Sequence, residues 1–200
     1  EELARVLDLL PARRQNLFFS ATFPQAVQAL AEQLLHHPVR VEINATEATP
    51  APEIAQRAII IDSTQRTPLL RNLLKTQEWE RVLVFVATKY TAEHVANKLY
   101  QSGVYATAFH GELSQGARQT VLQEFKDKRW QVLVTTDLAA RGIDIAQLSA
   151  VVNYDLPRAT ADYIHRIGRT GRAGESGEAI SMVTPAALAH WALIEKREQL

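Results

Sequence analysis

The 200-residue chain is 46% hydrophobic and 22% charged, a globular composition with room for one full α/β domain and some extra, and not that of a disordered chain. Lys plus Arg equals Asp plus Glu at 22 each, so a whole-surface attraction for nucleic acid is excluded and any such binding needs a local patch. The absence of cysteine excludes disulfides, thiolate nucleophiles and cysteine-ligated zinc; with no apolar run of the roughly 18 residues that span a membrane and no signal-peptide pattern in residues 1–5, a cytoplasmic setting is expected.

Leu3, Val6, Leu7 and Leu10 have the spacing of a short amphipathic helix, stopped by Pro11. Residues 17–19 read as a strand, Pro24 opens a second helix to about Leu35, and residues 39–43 read as another strand. Two helices and two strands bury too little to form a core of their own. Residues 44–53 are small, polar and carry two prolines, the composition of a linker. From there β-branched runs recur at 58–61, 82–86, 132–135 and 150–152, each without polar alternation. That suits strands buried on both faces of a parallel sheet. Helical patterns lie between them: Leu69, Leu70, Leu73 and Leu74; Val95, Ala96 and Leu99; Ala117, Val121, Leu122 and Phe125. Thr91 and Ser114 are placed to cap two of these helices, and Gly103 to end one in the left-handed conformation. Alternating strands and helices predict a doubly wound α/β domain.

The densest chemical signal is residues 165–172, His-Arg-Ile-Gly-Arg-Thr-Gly-Arg. Arginines recur every third residue, a spacing that places Arg166, Arg169 and Arg172 near one helix face. Gly168 and Gly171 leave room for a phosphate, which the planar guanidinium binds in bidentate fashion. The alternative is a solvated basic helix end. A second signal, residues 135–144, follows a strand, at the sheet edge where open α/β folds bind ligands. It crowds Thr135, Thr136, Asp137, Arg141, Gly142 and Asp144 together, and Asp144 suits a ribose hydroxyl; the alternative is a strand-to-helix turn rich in capping residues. Thr88 and Lys89, and His110 and Gly111 with Gln115 and Arg118, follow other strands, which puts Thr88, Gly111, Arg118 and Thr136 along one sheet edge.

The order of Ser20-Ala21-Thr22, residues 85–89, His110-Gly111 with Gln115 and Arg118, residues 136–144 and residues 165–172 resembles the DEAD-box RNA helicases, and most of all the bacterial RhlE-type proteins. The resemblance covers nearly the whole chain. It implies a RecA-like parallel sheet with helices on both faces at 56–200, a linker at 45–55, and at 1–44 the carboxyl-terminal remnant of a first RecA-like domain. It also implies roles. Arg169 and Arg172 reach the nucleotide phosphates, Arg172 as arginine finger; Gly142 and Asp144 meet the adenosine side. Thr88, Lys89, Gly111, Gln115, Arg118, Thr136 and Arg141 belong to the RNA surface. His165, Ser20 and Thr22 couple the two domains. Two positions depart from the family: Glu112 stands where Asp is usual, and Tyr90 where a basic residue is common.

None of the eight glycines is followed by lysine, so the P-loop that cradles β/γ-phosphates is missing, as is the Asp-Glu-Ala-Asp run that helps hold magnesium. The resemblance therefore implies half of an ATP-dependent RNA helicase, the second domain with a carboxyl-terminal piece of the first, with ATP and Mg2+ bound mainly by the first RecA-like domain and the chain inert alone. Residues 1–45, cut from their sheet, are expected to be mobile or to pack in a non-native way. The alternatives are a non-catalytic RNA-binding module, a DNA-directed superfamily 2 helicase, and a flavodoxin-like protein sharing only the sheet.

Overall fold

The computed structural model describes residues 2–20, 25–42, 54–141, 143, 145, 148–171 and 176–200. The chain divides into two units, Glu1–Glu47 and Ala48–Leu200.

The first unit contains α1 (Glu2–Asp8) and α2 (Gln25–Leu34). Asn16 donates to the Leu34 carbonyl at 3.2 Å. The strands predicted at 17–19 and 39–43 are not formed among the described residues. Strand structure requires a partner for the backbone groups, and none is present there. Leu17, Phe19, Val39 and Val41 stay exposed while Phe18 is half-buried. Ala31 is the one buried apolar side chain of this unit among the described residues, which form no core. Pro24, Ile43 and the linker residues up to Glu53 lie outside the described residues.

The second unit is a single sheet of six parallel strands. In chain order these are β1 (Ile54–Ile60), β2 (Val82–Phe85), β3 (Ala106–Phe109), β4 (Val132–Thr135), β5 (Ala150–Asn153) and β6 (Gly177–Val183). The connecting helices are α3 (Arg66–Thr76), α4 (Lys89–Gln101), α5 (Gln115–Lys126), α6 (Asp137–Ala140) and α7 (Asp162–Ile167), with α8 (Leu188–Glu198) following β6. Ile54 and Ala55 already lie in β1, so the strand starts inside the segment read as linker. The spatial order is β1-β6-β5-β2-β4-β3. α3 and α4 cover one face, with Leu70, Leu74, Val95 and Leu99 packed on Val82, Val84, Val134 and Val152. Phe125 of α5, with Ala139 and Ile145, covers the other face through Leu83, Phe85, Leu133 and Val151. Over β6, Tyr163 and Trp191 meet edge to face at 5.7 Å.

The apolar runs of β2, β4 and β5 are buried on both faces, as their composition predicts. The run at 58–61 is not: β1 is an edge strand and Ile60 is 66% exposed. Ser114 caps α5 by accepting from the Ala117 amide at 3.2 Å. Gly103 ends α4 at φ 84°, with Val104 N–H donating back to Leu99. The cap of α4 is Thr88 rather than Thr91. Thr88 is extended, and its Oγ1 accepts from the Thr91 amide at 3.1 Å.

Candidate nucleotide and nucleic-acid site

The strand order places the ends of β2, β4 and β3 side by side. Thr88 follows the first, Thr136 the second and His110-Gly111 the third, so the predicted group shares one carboxyl edge. Thr88 is exposed at the start of α4, its hydroxyl shared with Thr91 Oγ1 at 2.8 Å. Thr136 occupies the capping position of α6 but makes no capping bond. Gly111 is exposed, and a Cβ there would meet nothing within 4 Å. The packing of the domain therefore gives no reason for glycine at this position; a close-lying ligand would.

Two buried nitrogens near this edge have no protein partner: His110 Nδ1 and Arg118 Nε. His110 is 5% exposed, and its Nε2 faces Glu93 Oε1 at 3.1 Å. The Arg118 guanidinium lies 5.3 Å from the Phe109 ring centroid, on α5 one turn beyond the Ser114 cap. Both nitrogens lie beneath the edge rather than on it; what the edge presents is the exposed Thr88, Gly111 and Gln115 with the half-buried Thr136 and Arg118. Gln115 is exposed on the first turn of the same helix. Lys89 forms an ion pair with Glu112, which ties the start of α4 to the turn after β3. The ammonium hydrogen bond and charge hold the Glu112 carboxyl below its usual range.

A second cluster lies around α6 and α7. The even arginine spacing does not give one face. α7 ends at Ile167, so Arg169 lies beyond the helix. Arg166 is 2% exposed and turned into the protein. Its Nε and Nη2 grip both Asp137 oxygens at 2.6 and 2.7 Å, and its Nη1 donates to Asn153 and to the Asp155 carbonyl. Arg169 is half-buried and donates to the Ile143 carbonyl at 3.0 Å. Arg141 is exposed and 4.0 Å from Asp162; His165 is exposed on α7. Gly142, Asp144 and Arg172, all predicted to face nucleotide, lie outside the described residues, as does Thr22. Ser20 is exposed in the first unit. Among the described residues no group of three or more His, Asp or Glu is placed to hold a metal. Among the described arginines here, Arg141 and Arg169 reach solvent, and a guanidinium fits phosphate oxygens and not Mg2+.

Sequence reasoning missed Asp155. It accepts from the Ala87 amide at 2.8 Å and from Arg66 at 2.6 Å, and its own N–H donates to Phe85. Arg66 also stacks 4.3 Å above the Tyr154 ring. The signal was available: Asp155 follows the apolar run 150–152, at the same edge as the other candidates.

The model for the helicase conserved C-terminal domain matches residues 65–174. The chain belongs to that family. Within it, this helicase C-terminal domain is of the DEAD-box, RecA-like kind, as the sheet and relatives show. It is 39% identical over 196 residues to the DEAD-box ATP-dependent RNA helicase CshA of Geobacillus kaustophilus, covering 98% of this chain and 42% of that protein. With RhpA of Helicobacter pylori it shares 40% over 185 residues, 92% of this chain and 37% of the relative. Among solved structures, Saccharomyces cerevisiae Dbp5 bound to RNA and ADP BeF3 superposes with a TM-score of 0.83 at 35% identity, covering 98% of this chain and 52% of that one. Escherichia coli SrmB bound to the regulator RraA gives 0.69 at 38% identity, covering 72% and 85%. The chain thus spans about two fifths of the length of the curated relatives.

Proposed function

We propose that this domain is the RNA-gripping and phosphate-sensing half of an ATP-dependent RNA helicase that opens short duplexes. The observation that carries the reading is the gathering of Thr88, Gly111, Gln115, Arg118 and Thr136 at the adjacent ends of β2, β4 and β3. Hydroxyls, a glycine and a guanidinium there suit phosphate and sugar oxygens, so RNA contacts are largely independent of sequence. Relatives named as ATP-dependent RNA helicases support the assignment.

The first RecA-like domain holds ATP and Mg2+, and residues 1–44 belong to its carboxyl-terminal part. ATP supplies the phosphoryl group whose transfer to water drives the cycle. Arg169 and Arg172 meet the phosphates across the interdomain cleft, and Arg172 neutralises charge developing on the transferred group. Gly142 and Asp144 fix the adenosine side. His165, with Ser20 and Thr22, couples cleft closure to the bending of RNA held by Thr88, Lys89, Gln115, Arg118, Thr136 and Arg141. Alone, the chain has no hydrolytic activity.

The test is anisotropy of a labelled single-stranded RNA titrated with this chain. Gly111→Glu places a carboxylate where the protein leaves open space, so it keeps the fold and weakens binding about tenfold, equivalent to about 1.4 kcal/mol. Unchanged affinity in this variant and in Thr136→Ala contradicts the RNA surface.

A further inference from the structure

The neutral chain requires any nucleic-acid surface to be local, and its charge is in fact segregated. α3 and α4 together carry Arg66, Arg71, Lys75, Lys89 and Lys98 against the single carboxylate Glu93. Two of these cations are committed, Arg66 to Asp155 and Lys89 to Glu112, and Glu93 itself faces His110. That leaves Arg71, Lys75 and Lys98 exposed, with no ion-pair partner among the described residues. Between the two helices lies a cavity of about 410 Å³ lined by Arg71, His94, Lys98, Thr64, Thr67 and Ser102. Its lining holds cations, hydroxyls, Pro68 and Leu99 and no carboxylate, although Asp62, which accepts from Thr64, lies next to it.

Tyr90, His94 and Lys98 are four residues apart along α4, so they form one stripe in steps of about 6 Å. Tyr90 is 72% exposed, and its ring is stacked on His94 at 5.9 Å with 12° between planes. The stripe begins two residues beyond Thr88, where the sheet-edge surface ends. An exposed, pre-stacked aromatic pair leading into an unpaired basic cleft is the combination that binds single-stranded nucleic acid: bases stack on the rings and phosphates meet the cations.

We propose that α4 carries a second RNA contact, an exit track on which a base stacks on Tyr90 and the following phosphates lie in the Arg71–Lys98 cleft. This rests on the RNA reading of the sheet edge. It also gives a role to Tyr90, at a position where the family more often has a basic residue: a stacking face in place of a charge.

The test compares labelled oligoadenylates of about 5 and about 12 nucleotides, titrated at low salt with this chain. The longer one binds more tightly to the unmodified chain. Arg71→Glu with Lys98→Glu removes that gain, about tenfold, and lowers the salt slope by roughly two. Tyr90→Ala weakens the longer oligonucleotide alone, by about fivefold or more. An unchanged length gain in the charge-reversed chain overturns the track and leaves the cleft to an acidic protein segment. Equal weakening of both lengths overturns it as a general charge effect. A chain that binds neither oligonucleotide contradicts the RNA reading of the sheet edge itself.

Discussion

Arg166 joins β5, α6 and α7 through one side chain: two bonds to Asp137, one each to Asn153 and the Asp155 carbonyl, and a stack 4.7 Å over Phe85. Removing one partner of such a pair leaves a charge without compensation. Asp137→Asn is expected to cost about 3 kcal/mol, the lower end for a buried pair because Asp137 retains some solvent contact. Arg166→Lys is expected to fall nearly as far, since an ammonium cannot reproduce the fork. Urea denaturation midpoints check both. Gly177 is a second such position. A Cβ there would lie 2.3 Å from Thr170 Oγ1 and 2.5 Å from the Gly171 amide, so Gly177→Ala is expected to destabilise by at least about 1–3 kcal/mol. Neither residue's role was legible beforehand. The arginine spacing suggested a shared face because helical geometry was extended past Ile167, and what Asp137 pairs with is set by a contact 29 residues away.

At the level of elements, composition was a good guide wherever burial is two-sided. The β2, β4 and β5 runs are the centre of the sheet. It was a poor guide at edges: β1 has the same residue types but lies outermost, and residues 17–19 and 39–42 have the right types and no ladder. β6 was harder to see because Ser181, fully buried, interrupts its apolar pattern while bonded to Asn153 at 3.1 Å. Capping was legible to within one turn. Because Thr88 is the cap of α4, Thr88→Ala is expected to cost about 1 kcal/mol in a thermal melt, where Thr91→Ala costs less. The α7–β6–α8 layer gives a pH prediction. Burial raises the Tyr163 phenol above its ordinary value of 10.0. The folded state then keeps its proton while the unfolded chain loses it, so this contribution is intact below pH 10 and lost as pH rises through the folded value. The stability difference between the parent chain and Tyr163→Phe should shift against the parent above pH 10; a constant difference would show that Tyr163 ionises as it does unfolded.

At the scale of the whole molecule, the candidate residues reach one edge because every strand of the second unit runs parallel, and that followed from the alternating pattern alone. Which strand ends are neighbours did not follow: the order β5-β2-β4-β3 depends on crossovers that periodicity does not encode. The unpaired nitrogens of His110 and Arg118 are likewise a property of packing. In the proposed helicase the arginines after α7 act on nucleotide held by another domain. The direct measurement is RNA-stimulated ATP hydrolysis by this chain alone, by a separately prepared first RecA-like domain alone, and by the mixture. The expected result is silence from each part, activity on mixing, and a fall of about 10³-fold when Arg172→Ala is introduced into this chain. Hydrolysis by this chain alone, or a mixture indifferent to Arg172→Ala, would contradict it.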